Sequence, residues 1–212
     1  MSKVICIMGE SGSGKTTSLR NLNPDETAIF DCDGKGLSWK GWRNQYNREK
    51  QNYFKVNDPA KVVSGLGFVN KNPKIKYAVI DTLNGIMVAD EMRRTKEKGY
   101  DKWVDLAQCV WDLVDGAYNY RDDLTLIFIC HSQTERDDNG YAFTRIKTSG
   151  KKLDKIVLES KFTTVLLAKV VDGKHLFETR SNNSTAKTPV GAFELDTIEN
   201  DIKLVLDALA EY

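Results

Sequence analysis

Short apolar runs alternate along this chain with longer stretches in which apolar residues recur every three or four positions. Residues 4–8, 27–32, 77–82 and 124–130 are nearly continuous apolar runs, the pattern of strands buried on both faces of a parallel sheet. Residues 53–56 suit a short edge strand. Between these runs the period lengthens. Asp58-Pro59 reads as an N-cap followed by proline in the first helical turn, opening a helix to about Val69. Residues 84–97 and 101–119 read as helices, the second with Trp103, Leu106, Val110, Leu113, Val114 and Ala117 on one face. Residues 16–22 can open a helix that stops before Asn23-Pro24. Later the pattern turns antiparallel: 162–171 and 174–180 are β-rich runs joined by Asp172-Gly173, a hairpin signal. Residues 150–160 read as a short helix. Residues 197–212 read as a closing helix with Ile198, Ile202, Val205, Leu206 and Leu209 in one stripe. Strands alternating with helices predict an α/β fold, a mainly parallel central sheet flanked by helices with a C-terminal antiparallel hairpin.

Length and charge narrow this picture. The 212 residues suit one α/β domain over 1–212, since two would each be small. A formal net charge of +1 argues against a bulk electrostatic nucleic-acid binder, so any basic surface is local. Cys6, Cys32, Cys109 and Cys130 form no C-x-x-C pair and read as buried thiols of a reducing compartment. The first apolar run is too short for a signal peptide, and no stretch approaches a membrane span. The expectation is a soluble, cytoplasmic protein without membrane contact. No internal repeat or low-complexity tract is visible.

Candidate chemistry concentrates just after the first run. Gly9-Glu10-Ser11-Gly12-Ser13-Gly14-Lys15-Thr16 fits G-x-x-x-x-G-K-[ST], with a strand before it and Thr17 after it. Glycines let successive N–H groups point into one concavity that binds anionic oxygens. A following helix N-terminus would add its own N–H groups. Lys15 would reach β- and γ-phosphates, and Thr16 would hold Mg²⁺. Asp81 closes a later apolar run, where a carboxylate holds Mg²⁺ directly or through water. Asp31 and Asp33 follow another strand end, where open α/β sheets place ligands. His131 also follows a buried strand; it either senses the γ-phosphate or its water, or only bonds backbone. His175 reads as structural.

Two stretches suggest nucleic acid without establishing it. Residues 35–55 interleave Lys35, Lys40, Arg43, Arg48, Lys50 and Lys55 with Trp39, Trp42, Tyr46, Tyr53 and Phe54. That is the composition of a stacking surface for single strands. It is equally that of a connector whose aromatics pack on the sheet, and packing is the preferred reading. Residues 132–149 are polar around a tip at 137–140, a small hairpin or a mobile loop. Arg136, Arg145 and Lys147 there either contact DNA phosphates or decorate a solvated hairpin.

Taken in order, the phosphate loop, Phe30-Asp31-Cys32-Asp33, the run ending at Asp81-Thr82 and the run ending at His131 resemble the RecA-like recombination ATPases. The nearest likeness is to small phage-encoded nucleotide-binding proteins of that group, some of which anneal single strands. Gly150-Lys151-Lys152-Leu153 and Thr185-Ala186-Lys187-Thr188-Pro189 add to it. The resemblance implies ATP with Mg²⁺ as cofactors, and single-stranded DNA as partner in recombination. It places Asp33 where the family carries the acid that activates water, usually the longer glutamate. It puts Asp81 on the Mg²⁺-side aspartate and His131 on a γ-phosphate sensor, often glutamine. Residues 132–149 then match a DNA-binding loop. Lys187 lies near lysines that reach a neighbour's nucleotide, which implies a homo-oligomer with nucleotide at the subunit interface. A single-strand-binding protein is a candidate further partner.

Three other readings compete. A small-molecule or nucleotide kinase needs an arginine-rich lid, and the arginines here are scattered. A GTP switch needs an Asn/Thr-Lys-x-Asp motif, which is missing. A nucleotide-dependent loading scaffold with little hydrolysis is kept open by aspartate at position 33.

Overall fold

The computed structural model describes residues 1–99, 101–136, 138–149 and 157–212. The strands are β1 (Lys3–Gly9), β2 (Thr27–Asp31), β3 (Tyr53–Lys55), β4 (Tyr77–Asp81), β5 (Thr125–Arg136), β6 (Ala142–Ile146), β7 (Thr164–Val171), β8 (Lys174–Glu178) and β9 (Thr197–Glu199). The helices are α1 (Trp42–Gln45), α2 (Pro59–Asn70), α3 (Leu83–Arg93), α4 (Asp101–Gly116) and α5 (Ile202–Ala208). The strands order as β3-β2-β4-β5-β1-β7-β8-β9, with β6 pairing β5 outside that path. From β3 to β7 every pairing on the path is parallel; β7–β8, β8–β9 and β5–β6 are antiparallel. This is the expected α/β sheet with antiparallel strands at its C-terminal end.

Period-2 alternation divides the core between the two faces. Val4, Cys6, Phe30, Ile80 and Phe128 face α2, α3 and α4 through Val62, Leu66, Ile86, Val110 and Val114. Ile5, Ile7, Ile29, Val79 and Ile127 face Leu19, Tyr46, Phe177, Ile202 and Val205. Trp39, Trp42 and Tyr53 pack against this second cluster. Trp39 stands edge-on to Tyr46 at 6.0 Å, and Trp42 meets Tyr53 at 5.1 Å. The aromatics of 35–55 therefore serve packing, as preferred above. Asp58 caps α2 by accepting from the Ala60 and Lys61 N–H groups, worth about 1 kcal/mol.

Several boundaries differ from expectation for physical reasons. After the phosphate loop the chain makes only a 3₁₀ segment, Thr17–Asn21, because Leu19 and Leu22 turn into the core before Pro24 arrives. Any anion at the loop is therefore held by local N–H groups rather than by a long helix dipole. The closing helix begins at Ile202, not near 197. Thr197–Glu199 pairs with β8, and Asp201 caps α5 by accepting from the Lys203 N–H. The helix at 101–119 ends at Gly116 and finishes in a 3₁₀ turn, Ala117–Asn119. The helix expected over 84–97 runs Leu83–Arg93. Strand β5 passes well beyond residue 130, because residues 132–136 find a partner in β6. The 132–149 stretch is thus a hairpin, although position 137 of its expected tip lies outside the described residues. The expected helix at 150–160 lies mostly outside them too; Leu158–Lys161 forms a 3₁₀ turn. All four thiols are free. No described helix is long and apolar enough to cross a membrane.

Candidate active site

Register brings the candidate residues to one end of adjacent strands. Gly9 on β1 lies opposite His131 on β5, and Asp81 on β4 lies opposite Ile129 of the same strand. Asp31 on β2 lies opposite Asp81. The chain leaves β1 toward β2 on one side and later reaches β7 on the other, so the phosphate loop sits at the topological switch point.

A cavity of about 390 Å³ opens there, lined by the phosphate loop, Lys15, Thr16, Thr17, Lys35, Ser38, His131 and His175. Lys15 Nζ donates to the carbonyls of Gly9 at 2.8 Å and Glu10 at 2.6 Å. Burial first, then neighbouring Lys35, pushes the Lys15 ammonium down to about 8. A bound anion reverses that penalty, since opposite charge favours the protonated form. Thr16 Oγ1 donates to Asp81 Oδ2 at 2.8 Å. Asp81 is fully buried, and its Oδ1 has no hydrogen-bond partner among the described residues. Burial raises its carboxyl to about 6, against the opposing pull of Lys35 and Thr16.

These residues fit Mg²⁺. A buried carboxylate oxygen without a partner beside a threonine hydroxyl is a hard-oxygen donor pair. Among the described residues no cluster of three or more His, Cys, Asp or Glu could cage a metal. The remaining ligands would be phosphate oxygens and water, as is usual for Mg²⁺. Charge agrees: Lys15 and Lys35 couple to Asp33 and Asp81, and Lys35 to Asp31, two cations against three carboxylates, which leaves a net negative charge to attract a cation.

Asp33 sits at the cavity's edge. Its Oδ1 accepts from Thr82 Oγ1 at 2.8 Å and its Oδ2 from Lys35 Nζ at 2.6 Å. Burial would raise this carboxyl, but the Lys35 and Thr82 bonds outweigh it and hold it below its ordinary value. It is therefore ionised, and its hold on a proton is weak while Lys35 stays bonded to it. The His131 side chain lines the cavity, while its backbone N–H donates to Asn84 Oδ1 at 2.7 Å and its carbonyl accepts from the Lys147 N–H. Burial, and then Lys15, lower the imidazole's affinity for a proton below its ordinary value.

Other expected residues fall elsewhere. Lys187 does not line its own chain's cavity: its backbone pairs with Val165, three residues before Ala168, the β7 residue opposite Gly9. It is exposed. Arg136 is exposed at the hairpin, donating to the Gly140 carbonyl, and Lys147 is exposed as well. Arg145 is largely buried between Glu135 at 3.5 Å and Glu159 at 3.9 Å, so it serves an internal ion pair rather than offering charge to DNA. A second cavity of about 370 Å³ lies between Glu10–Ser13 and the hairpin residues Ser132 and Thr144.

Sequence reading missed four residues. Lys35 stood among the lysines of a presumed packing segment. Its flanking Gly34 and Gly36, directly past a strand end, were the available signal. Ser38 lines the cavity too and shares a 2.9 Å hydrogen bond with Thr17. His175, read as structural, lines the cavity: its Nδ1 lies 2.9 Å from where a Cβ on Gly14 would stand. Asn84 joins His131 to the hairpin, donating to the Lys147 carbonyl at 2.7 Å; nothing local marked it.

Strand order, glycine-rich turn and buried acid together define a P-loop nucleotide-binding domain. The chain belongs to a family of AAA domains, whose profile matches residues 1–190. Among solved structures it is similar to a KaiC-like protein of the hyperthermophilic archaeon Pyrococcus horikoshii OT3. That match has 14% identity and a TM-score of 0.46, over 82% of this chain and 76% of the other. A comparison with curated proteins returns no match.

Proposed function

We propose that the protein is a Mg²⁺-dependent ATPase, a single domain over 1–212, that works on single-stranded DNA in annealing or strand pairing. The observation that carries the ATPase reading is the Thr16–Asp81 contact at 2.8 Å with a partnerless carboxylate oxygen beside Lys15. Mg²⁺, when bound, supplies charge neutralisation between the terminal phosphates. The chain's own groups do the rest. Loop N–H groups and Lys15 orient the triphosphate, Asp33 accepts the proton of the attacking water, and His131 hydrogen-bonds near the terminal phosphate. Lys187, exposed and away from its own cavity, suits a role at a neighbour's nucleotide in a homo-oligomer.

The DNA reading draws on β5. One strand carries His131 at the cavity and runs on into a hairpin bearing exposed Arg136 and Lys147. Turnover should rise when single-stranded oligonucleotide is added, and binding should weaken steeply with salt. Lys147→Ala should flatten the salt slope by about 0.7, one phosphate contact on a single strand. Salt-independent binding, or turnover indifferent to DNA across protein concentration, would reject this partner. One observation favours the scaffold reading as a second choice: both Asp33 oxygens already hold partners.

A further inference from the structure

The lysine missed in the sequence stands on a segment built to present it. Asp31, 1% exposed, accepts the N–H groups of Gly34 and Gly36 with its two oxygens, each at 2.8 Å. Tyr53 donates its hydroxyl to the same carboxylate at 2.5 Å. Both glycines have positive φ, 69° and 84°. A Cβ at Gly34 would stand 2.6 Å from the Lys55 side chain, and one at Gly36 2.8 Å from the Trp42 ring. Only glycine fits both places. A buried carboxylate thus staples the backbone on either side of Lys35 and turns its side chain into the nucleotide cavity, beside Thr16, Ser38 and His131.

The ammonium meets Asp33 Oδ2 at 2.6 Å, while the side chain keeps 51% of its exposure. A lysine needed only to brace Asp33 requires neither the staple nor the cavity. We propose that Lys35 is a catalytic residue that trades Asp33 for the terminal phosphate of bound ATP, supplying from within the chain a positive charge on the transferred group. The exchange does two things together. It neutralises charge that spreads over the phosphoryl oxygens as the bond to the leaving oxygen stretches. It also uncovers Asp33 Oδ2. The water oxygen then bonds to the γ-phosphorus, and the bond from that phosphorus to the bridging oxygen breaks. Its electron pair leaves on ADP, and the water proton passes to Asp33.

This inference rests on the ATPase reading, and one pair of measurements separates their failures. ATP turnover and the affinities for ADP and for ADP with aluminium fluoride and Mg²⁺ are measured on wild type, Lys35→Met and Lys35→Arg. Lys35→Met should lower turnover by about 10²–10³-fold, as for loss of one donor to a developing charge. It should weaken the aluminium fluoride complex similarly and leave ADP affinity unchanged, with Lys35→Arg recovering part of both. Should Lys35→Met not fold, Lys35→Gln replaces it. Wild type that binds no ADP overturns the ATPase reading itself. Wild type that turns over ATP while the neutral variant keeps its rate and its aluminium fluoride affinity overturns only the role of Lys35.

Discussion

Two glycine-rich loops each aim a lysine at one cavity, yet they are held by opposite means. In the phosphate loop, Lys15 bonds the loop's own carbonyls at Gly9 and Glu10. The Ser13 N–H donates to the Glu10 carbonyl at 3.2 Å, and the amides of Gly12, Gly14 and Lys15 are left to face a ligand. In the loop after β2 the amides of Gly34 and Gly36 are taken by Asp31, so only the Lys35 side chain is offered. The lesson concerns reading glycines after a strand. A run of flexible residues makes an anion nest only if no internal acceptor occupies its N–H groups. Where a buried carboxylate does so, the loop becomes a stiff bracket.

Removing each loop's fixed point tests that contrast. Lys15→Ala should have the largest effect, with ATP turnover falling below detection in a coupled phosphate-release assay. Retained turnover would reject the first loop as the triphosphate site. Asp31→Ala comes next. It strands two part-buried amides and a phenol that its carboxylate held, a loss of about 3–5 kcal/mol. For a chain this size that lowers the melting temperature by roughly 6–20 °C. ADP affinity of the folded variant should hold, because the first loop needs nothing from Asp31. If ADP affinity collapsed as well, the two loops would be one unit and the comparison would fail.

The smallest effect should come from the acid between them. Asp81 binds its proton more tightly when folded, at about 6, than at the ordinary carboxylate value of 3.8. The folded state is thus favoured while the carboxyl is protonated. Measured against Asp81→Asn, wild type should lose about 3 kcal/mol of stability as pH rises from about 4 to above 6 without Mg²⁺. Asp81→Asn should escape that loss, standing more stable than wild type at pH 7 and equal to it near pH 4. Urea titration in chelator, pH by pH, measures this directly. A difference between wild type and Asp81→Asn that stays flat across the same interval would show that Asp81 is ionised at no cost.

Much of the architecture was legible because burial on two faces writes continuous apolar runs, and four of the parallel strands carry such runs. The phosphate loop was legible because its chemistry demands fixed residue types at fixed spacing. Asp81 followed as the acid closing a run. Elsewhere partners outside the local window decided the outcome. Ile198 matches a helical stripe, but pairing with β8 draws it into a strand. Arg145 has the composition of a phosphate contact, and only the folded hairpin and the 3₁₀ turn beside it, which bring Glu135 and Glu159 to it, show its charge already matched. Lys35 lay hidden because its significance depends on Asp31 turning inward. His175 joins the cavity only once the C-terminal hairpin folds over the first loop.

Strand β5 outlasts its neighbours on the path. Twelve residues at about 3.3 Å each make a ribbon of roughly 40 Å, gripped along its first half by β1 and β4 and free of them in its second. Its outer half is tied instead to β6, whose Thr144 exchanges backbone hydrogen bonds with Asn183 and Thr185. One continuous backbone thus crosses the rim of the sheet, with the cavity on its inner side and the hairpin on its outer side. Asn84 pins that crossing, accepting the His131 N–H and donating to the Lys147 carbonyl.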